Sequence, residues 1–149
     1  MSVTCTVGGV APKSTNPPPM SAEFESNIAK GIDFYRTHFI REDGAARYFH
    51  DRTYPIDIHS VAQTILTLVE FSDRIPDCDG LLNLVYRWAI THMWDEHGFF
   101  YYRQLRSLTI RTPYMRWSEA WMLMALTQLL RHQRGPSTAK HQRSAALVS

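Results

Sequence analysis

The stretch Tyr54-Pro-Ile-Asp-Ile-His-Ser60 sets a carboxylate and an imidazole two residues apart, beside a tyrosine, where an apolar run begins. Asp57 and His59 are side chains that serve as general acid or base. A further carboxylate, Glu119, follows Pro113-Tyr-Met-Arg-Trp117 at the start of another apolar run. Carboxylates about 5–9 Å apart suit glycoside hydrolysis, and Asp57 with Glu119 is the available pair. Asp57, His59 and Glu119 are therefore the catalytic candidates. Sugars offer apolar faces and hydroxyl edges, so Tyr54, Tyr102, Tyr114 and Trp117 are candidate substrate-binding residues. Arg116 joins them as a planar clamp for a carboxylate or phosphate.

Each residue also has a plainer reading. Asp57 favours the positive end of a helix, and His59 packs or hydrogen-bonds between repeats. Arg116 pairs with Glu119 three residues on. Trp117 and Trp121, four apart, fill a core. Residues two apart on a regular helix diverge by about 200°, so Asp57 and His59 face one cleft only if Asp57 lies in a distorted first turn.

Helical periodicity predicts the elements that must hold these residues. A first helix spans about Ala22 to Phe39, with Phe24, Ile28, Ile32, Tyr35 and Phe39 on one stripe. Asp43-Gly44 is a turn signal. A second helix runs from near Ile56 to near Ser72, opened by Pro55, and buries Ile58, Val61, Ala62, Ile65, Leu68 and Val69. A third spans about Gly80 to Asp95. Phe99–Arg103 and Ser107–Arg111 have strand-like content and suit a short irregular hairpin. Pro113 opens a fourth helix, about Tyr114 to His132, whose wide apolar face (Trp117, Ala120, Trp121, Leu123, Met124, Leu126, Leu130) implies packing on more than one side.

The segments repeat. Pro55 to Pro113 is 58 positions, and Ala62 to Ala120 is the same. A helix–loop–helix unit used twice is the pattern of stacked helical hairpins, which bury their faces on neighbours at both sides. Two units leave two flanks to be closed by the chain itself, by another copy, or by something larger. The class is all-α: two hairpins with a short β-like hairpin.

"GIDFYRTHFIREDGAARYFHDRTYPIDIHSVAQTI" and "GFFYYRQLRSLTIRTPYMRWSEAWMLMAL" resemble the C-terminal part of bacterial and archaeal (α/α) toroid proteins found among polysaccharide-biosynthesis genes. These are similar in turn to six-hairpin glycosidases and terpenoid-cyclase toroids. The resemblance covers roughly Ile28 to Leu130, and YPIDIHS and PYMRW are its most specific elements. It implies a ring of about six hairpins, of which this chain supplies two. The chain is then expected to be a truncated or separately encoded piece, inactive alone where activity needs the closed ring. The toroid implies that Tyr54, Asp57 and His59, and likewise Tyr114, Arg116, Trp117 and Glu119, sit on the rim where inner helices begin. The functional expectation is a carbohydrate-related fragment binding a saccharide, or derived from an enzyme of surface-polysaccharide metabolism. The competing expectation is a non-enzymatic repeat that assembles with itself or with the missing hairpins as a separate chain. An isoprenoid-handling toroid would carry a DxDD-type run, and none is present.

Composition narrows the remaining classes. The chain has 149 residues, 44% hydrophobic and 20% charged, the balance of an ordinary globular protein. A net charge of +2 argues for no nucleic-acid partner. Arg131, Arg134, Lys140 and Arg143 read as a solvated tail. Residues 1–21 are expected to be a disordered Pro- and Ser-containing leader, 22–133 the helical domain and 134–149 a disordered tail. All Trp, Tyr and Phe residues lie between Phe24 and Trp121. Cys5 and Cys78 do not form a disulfide framework, and Cys78 reads as a loop residue. His92 and His97 with Asp95 and Glu96 match no metal-binding spacing, and no cofactor is expected. No run approaches the roughly 18 apolar residues that span a bilayer. A cytoplasmic setting without membrane contact is expected.

Overall fold

A computed structural model describes residues 22–135. The proposed leader and all but the first residues of the proposed tail lie outside them. Helices hold 61% of the described residues, which sets the class as all-α with small antiparallel strands.

Helix α1 (Ala22–Phe39) has Glu23 and Glu25 in its first turn and Arg36 and His38 in its last, matching the helix dipole. Its apolar stripe is only partly used. Ile32 and Tyr35 pack on the core, and the Tyr35 hydroxyl bonds Thr64 Oγ1 at 2.8 Å, but Phe24 at the helix start is exposed. The turn after α1 closes as Gly44 N donates to Arg41 O. Gly44 has φ +91°, and a Cβ there would lie 2.5 Å from the Leu84 carbonyl oxygen. Only glycine satisfies both conditions.

Strand β1 (Ile56–Asp57) runs directly into helix α2 (Ile58–Glu70). Pro55 therefore does not occupy the first helical turn, as its sequence position suggests. Ile56 and Asp57 are extended because they pair with a strand far along the chain, and Asp57 caps the helix. A 3-10 turn (Ser72–Arg74) leads to helix α3 (Cys78–Met93). Cys78 is not a loop residue. It is the first residue of α3, buried, with its thiol directed at the Leu68 carbonyl 3.2 Å away.

Strands β2 (Trp94–Asp95) and β3 (Phe99–Phe100) form a two-stranded hairpin. β4 (Arg103–Gln104) and β5 (Thr109–Ile110) form another, and β1 adds to β4 to make a three-stranded antiparallel sheet. Helix α4 (Ala120–Arg134) begins six residues later than sequence reading from Tyr114 suggests, because Met115–Glu119 form a π-helical turn in which the Tyr114 carbonyl accepts from Trp117, Ser118 and Glu119.

α2 is the central helix and packs on α4 and α3. Ile58, Val61, Ala62, Ile65 and Leu68 recur at helical spacing and are all buried. Each large one contributes about 1.5–3 kcal/mol of apolar burial. They meet Leu82, Val85, Ala89 and Met93 of α3 and Met122, Ala125 and Leu129 of α4 in one core. The expected two-sided packing of α4 does not occur. Neighbouring elements cover the Met122, Ala125 and Leu129 side and partly cover Trp121 and Leu126, leaving Ala120, Leu123, Met124 and Leu130 in solvent.

Candidate functional site

The starts of α2 and α4, with the sheet beside them, gather most of the chemistry-bearing residues. Asp57 anchors this region. The register of β1 against β4 sets Asp57 opposite Arg103. Asp57 Oδ2 accepts from Arg103 Nη2 at 2.8 Å and Nε at 3.0 Å, while Oδ1 accepts from the His59 backbone N–H at 2.9 Å. The Asp57 side chain is only 5% exposed. One side chain thus caps α2 and ties it to the sheet.

The Arg103 guanidinium lies 4.7 Å from the Tyr102 ring centroid and 5.7 Å from that of Tyr48. Burial alone would lower its pKa, but the hydrogen bonds and charge of Asp57 hold it above its ordinary value.

Asp57 and His59 do not form a dyad. Asp57 bonds the backbone of residue 59, not its imidazole. The imidazole meets Trp121 edge-on at 4.8 Å and Trp117 at 6.2 Å. Its Nδ1 is buried and has no hydrogen-bond partner among the described residues. The extended conformation of Asp57 is the irregular helix start that the spacing argument required, yet it turns the carboxylate to Arg103.

Glu119 Oε1 accepts from the Phe100 backbone N–H at 3.1 Å, across to β3. Burial raises the Glu119 carboxyl above its ordinary 4.5, and this hydrogen bond opposes the shift. Glu119 makes no ion pair with Arg116. Tyr54 is half-buried against the core. Tyr102 meets Tyr114 edge-to-face at 4.8 Å, and Tyr114 is exposed. Trp117, which could have filled a core, is 59% exposed. Trp121 is half-buried beside His59.

Arg103, Tyr48 and Arg111 also belong to this region and were not legible as site residues. Arg111 lies 5.1 Å from the Tyr101 ring centroid. The interleaving of Arg and Tyr from Tyr101 to Tyr114 was the available signal, but strand pairing decides which of them meet. Arg106, Arg111 and Arg116 are exposed and have no carboxylate within ion-pair distance among the described residues.

A smaller cluster sits on the β2–β3 hairpin. Hydrogen bonds from the His97 backbone N–H and ring, and from the Tyr101 hydroxyl, hold the Asp95 carboxyl at about 2. Among the described residues no group of three His, Cys, Asp or Glu could hold a metal ion, and no helix is long and apolar enough to cross a membrane.

The region therefore presents exposed aromatic rings beside guanidinium groups with unused donors. Such a surface can stack on the apolar face of a ring and bind an anionic substituent at its edge. Comparison with family models, with curated proteins and with solved structures gives no match.

Proposed function

We propose that the chain is a saccharide-binding pair of helical hairpins of the (α/α) toroid type, whose rim takes an acidic sugar of the uronic-acid class. The carrying observation is the segment from Tyr102 to Trp117. Arg106, Arg111 and Arg116 lack carboxylate partners among the described residues, and the rings of Tyr102, Tyr114 and Trp117 lie in the same segment. A sugar ring stacks on an aromatic face, and its carboxylate takes the planar fork of an arginine.

Binding is favoured over hydrolysis. General acid–base work needs a carboxylate free to exchange a proton with substrate, and both Asp57 oxygens are engaged. Glu119 remains as the carboxylate nearest in kind to a catalytic acid. The resemblance to toroid proteins supports reading such a fragment as one of surface-polysaccharide metabolism.

Calorimetric titration with an oligogalacturonate and with a neutral oligosaccharide of equal length tests the reading. The acidic ligand is expected to bind and the neutral one to bind at least tenfold more weakly. Trp117→Ala and Arg116→Ala should each weaken the acidic ligand by about tenfold, roughly 1.4 kcal/mol. Equal binding of both ligands, or none at millimolar concentration, overturns it.

A further inference from the structure

We infer that α4 is a self-association face, covered by the α4 helix of a second copy of this chain in an antiparallel, two-fold arrangement. The inference stands independently of the saccharide reading. Ala120, Leu123, Met124 and Leu130 follow helical spacing and line the side of α4 turned away from the core. Leu123 is 70% exposed. Single exposed apolar residues are ordinary, but a continuous stripe marks an interaction surface.

The repeat indicates what kind of surface would cover it. Positions 62 and 65 of α2 precede positions 120 and 123 of α4 by 58, and Ala62 and Ile65 are fully buried in helix packing. The outer face of α4 therefore has the composition of a face that receives a helix. A two-fold contact, in which the same patch meets itself, covers the stripe of both copies at once.

Charge agrees with the antiparallel choice. Crossing near the stretch from Leu123 to Thr127 brings Arg131, in the basic last turn of one α4, towards Glu119 at the start of the other. The helix dipoles then also oppose. A cleft of about 380 Å³ beside the stripe, lined by the apolar Leu66, Val69, Phe71 and Met124 and the polar Thr67, Glu70 and Gln128, gives room for a side chain of the second copy. Fifteen residues of α4 extend about 22 Å. A contact built on that length falls at the small end of stable interfaces, so a dissociation constant on the order of ten micromolar is expected.

Sedimentation equilibrium of the full chain from about 1 to 200 µM tests this, a span that brackets the expected constant. The expected result is a reversible monomer–dimer equilibrium. Leu123→Glu combined with Leu130→Glu should be monomeric throughout with an unchanged circular-dichroism spectrum. Leu108→Glu, at an exposed leucine between β4 and β5, should leave the dimer intact. If the double variant loses helicity, Leu130→Lys alone replaces it, with association at least tenfold weaker than in the parent expected. A parent monomeric at the highest concentration overturns the inference, as does a dimer that persists in the folded α4 variants. Loss of the dimer in Leu108→Glu overturns it equally.

Discussion

α2 and α4 occupy corresponding places in the repeat and pack against each other, yet they begin and end up differently. α2 starts from two extended residues and is capped by Asp57, which also reaches Arg103. Fifty-eight positions on stands Met115, which has no oxygen with which to cap a helix. There the backbone closes on itself in a π-helical turn around the Tyr114 carbonyl, and α4 begins only at Ala120. The difference extends along the helices. α2 is enclosed between α3 and α4, whereas α4 has neighbours on one side only. One repeat pattern thus yields a structural centre and an open flank, and neighbours rather than periodicity decide which.

The largest expected effect breaks the comparison at its strongest point. Ile65 and Leu123 are 58 positions apart, one fully buried and the other in solvent. Ile65→Ala should cost about 3 kcal/mol, the usual sum of lost burial and residual cavity. Leu123→Ala should cost under about 0.5 kcal/mol in dilute protein, where any dimer is dissociated. Urea unfolding at low concentration measures both. Comparable losses would mean that α4 is not open on that side.

Asp57→Ala should come next, at about 2–3 kcal/mol, because it removes a cap and leaves Arg103 without its carboxylate. A thermal midpoint lower by roughly 5–10 °C is expected. Arg103→Met should be destabilising too, and the double substitution should cost clearly less than the two single costs added together. Additive costs would show that the pair does not couple α2 to the sheet.

These two experiments also mark what the sequence could and could not reveal. The limits of α1 and the buried stripe of α2 follow from local periodicity, which the chain obeys wherever a core face is covered. The Asp57–Arg103 contact joins residues 46 positions apart through strands only two residues long. Nothing local in so short a strand sets its register. The same limit hid Arg103 as a partner of Tyr48 and Tyr102, although the aromatic residues themselves stood out. The wide face of α4 misled in another way. Its residues are as apolar as a covered face, so the pattern reports the capacity to pack but not the presence of a partner. Cys78 was misplaced because an aspartate-flanked Pro-Asp-Cys-Asp-Gly run reads as a turn, whereas the turn ends at Asp77, the residue in left-handed conformation.

Ser118 carries a smaller effect and sharpens the contrast between the helix starts. It lies fully buried in the π-helical turn, and its Oγ has no hydrogen-bond partner among the described residues. A buried hydroxyl without a partner is destabilising relative to a methyl group. Ser118→Ala should therefore be neutral or stabilising by up to about 1 kcal/mol, the opposite sign to Asp57→Ala. A loss beyond about 1 kcal/mol would show that the hydroxyl has a partner worth keeping.

The smallest effect is a pH dependence at the same turn. Burial raises the folded-state pKa of Glu119 above its ordinary 4.5. Below about 4.5 the side chain is protonated in both folded and unfolded chains, and no stability is lost through it. As pH rises, the unfolded chain ionises first, and folding becomes less favourable until pH passes the folded-state value; beyond that the deficit is constant. Glu119→Gln keeps an oxygen that can accept from the Phe100 N–H but cannot ionise, so it lacks this dependence. The urea midpoint of the variant relative to the parent should rise from about pH 4 upward and then level off. A difference flat across that range, or falling with pH, would place Glu119 in water instead of against β3, and the π-helical turn would then lack the tether to the sheet that its counterpart at Asp57 has.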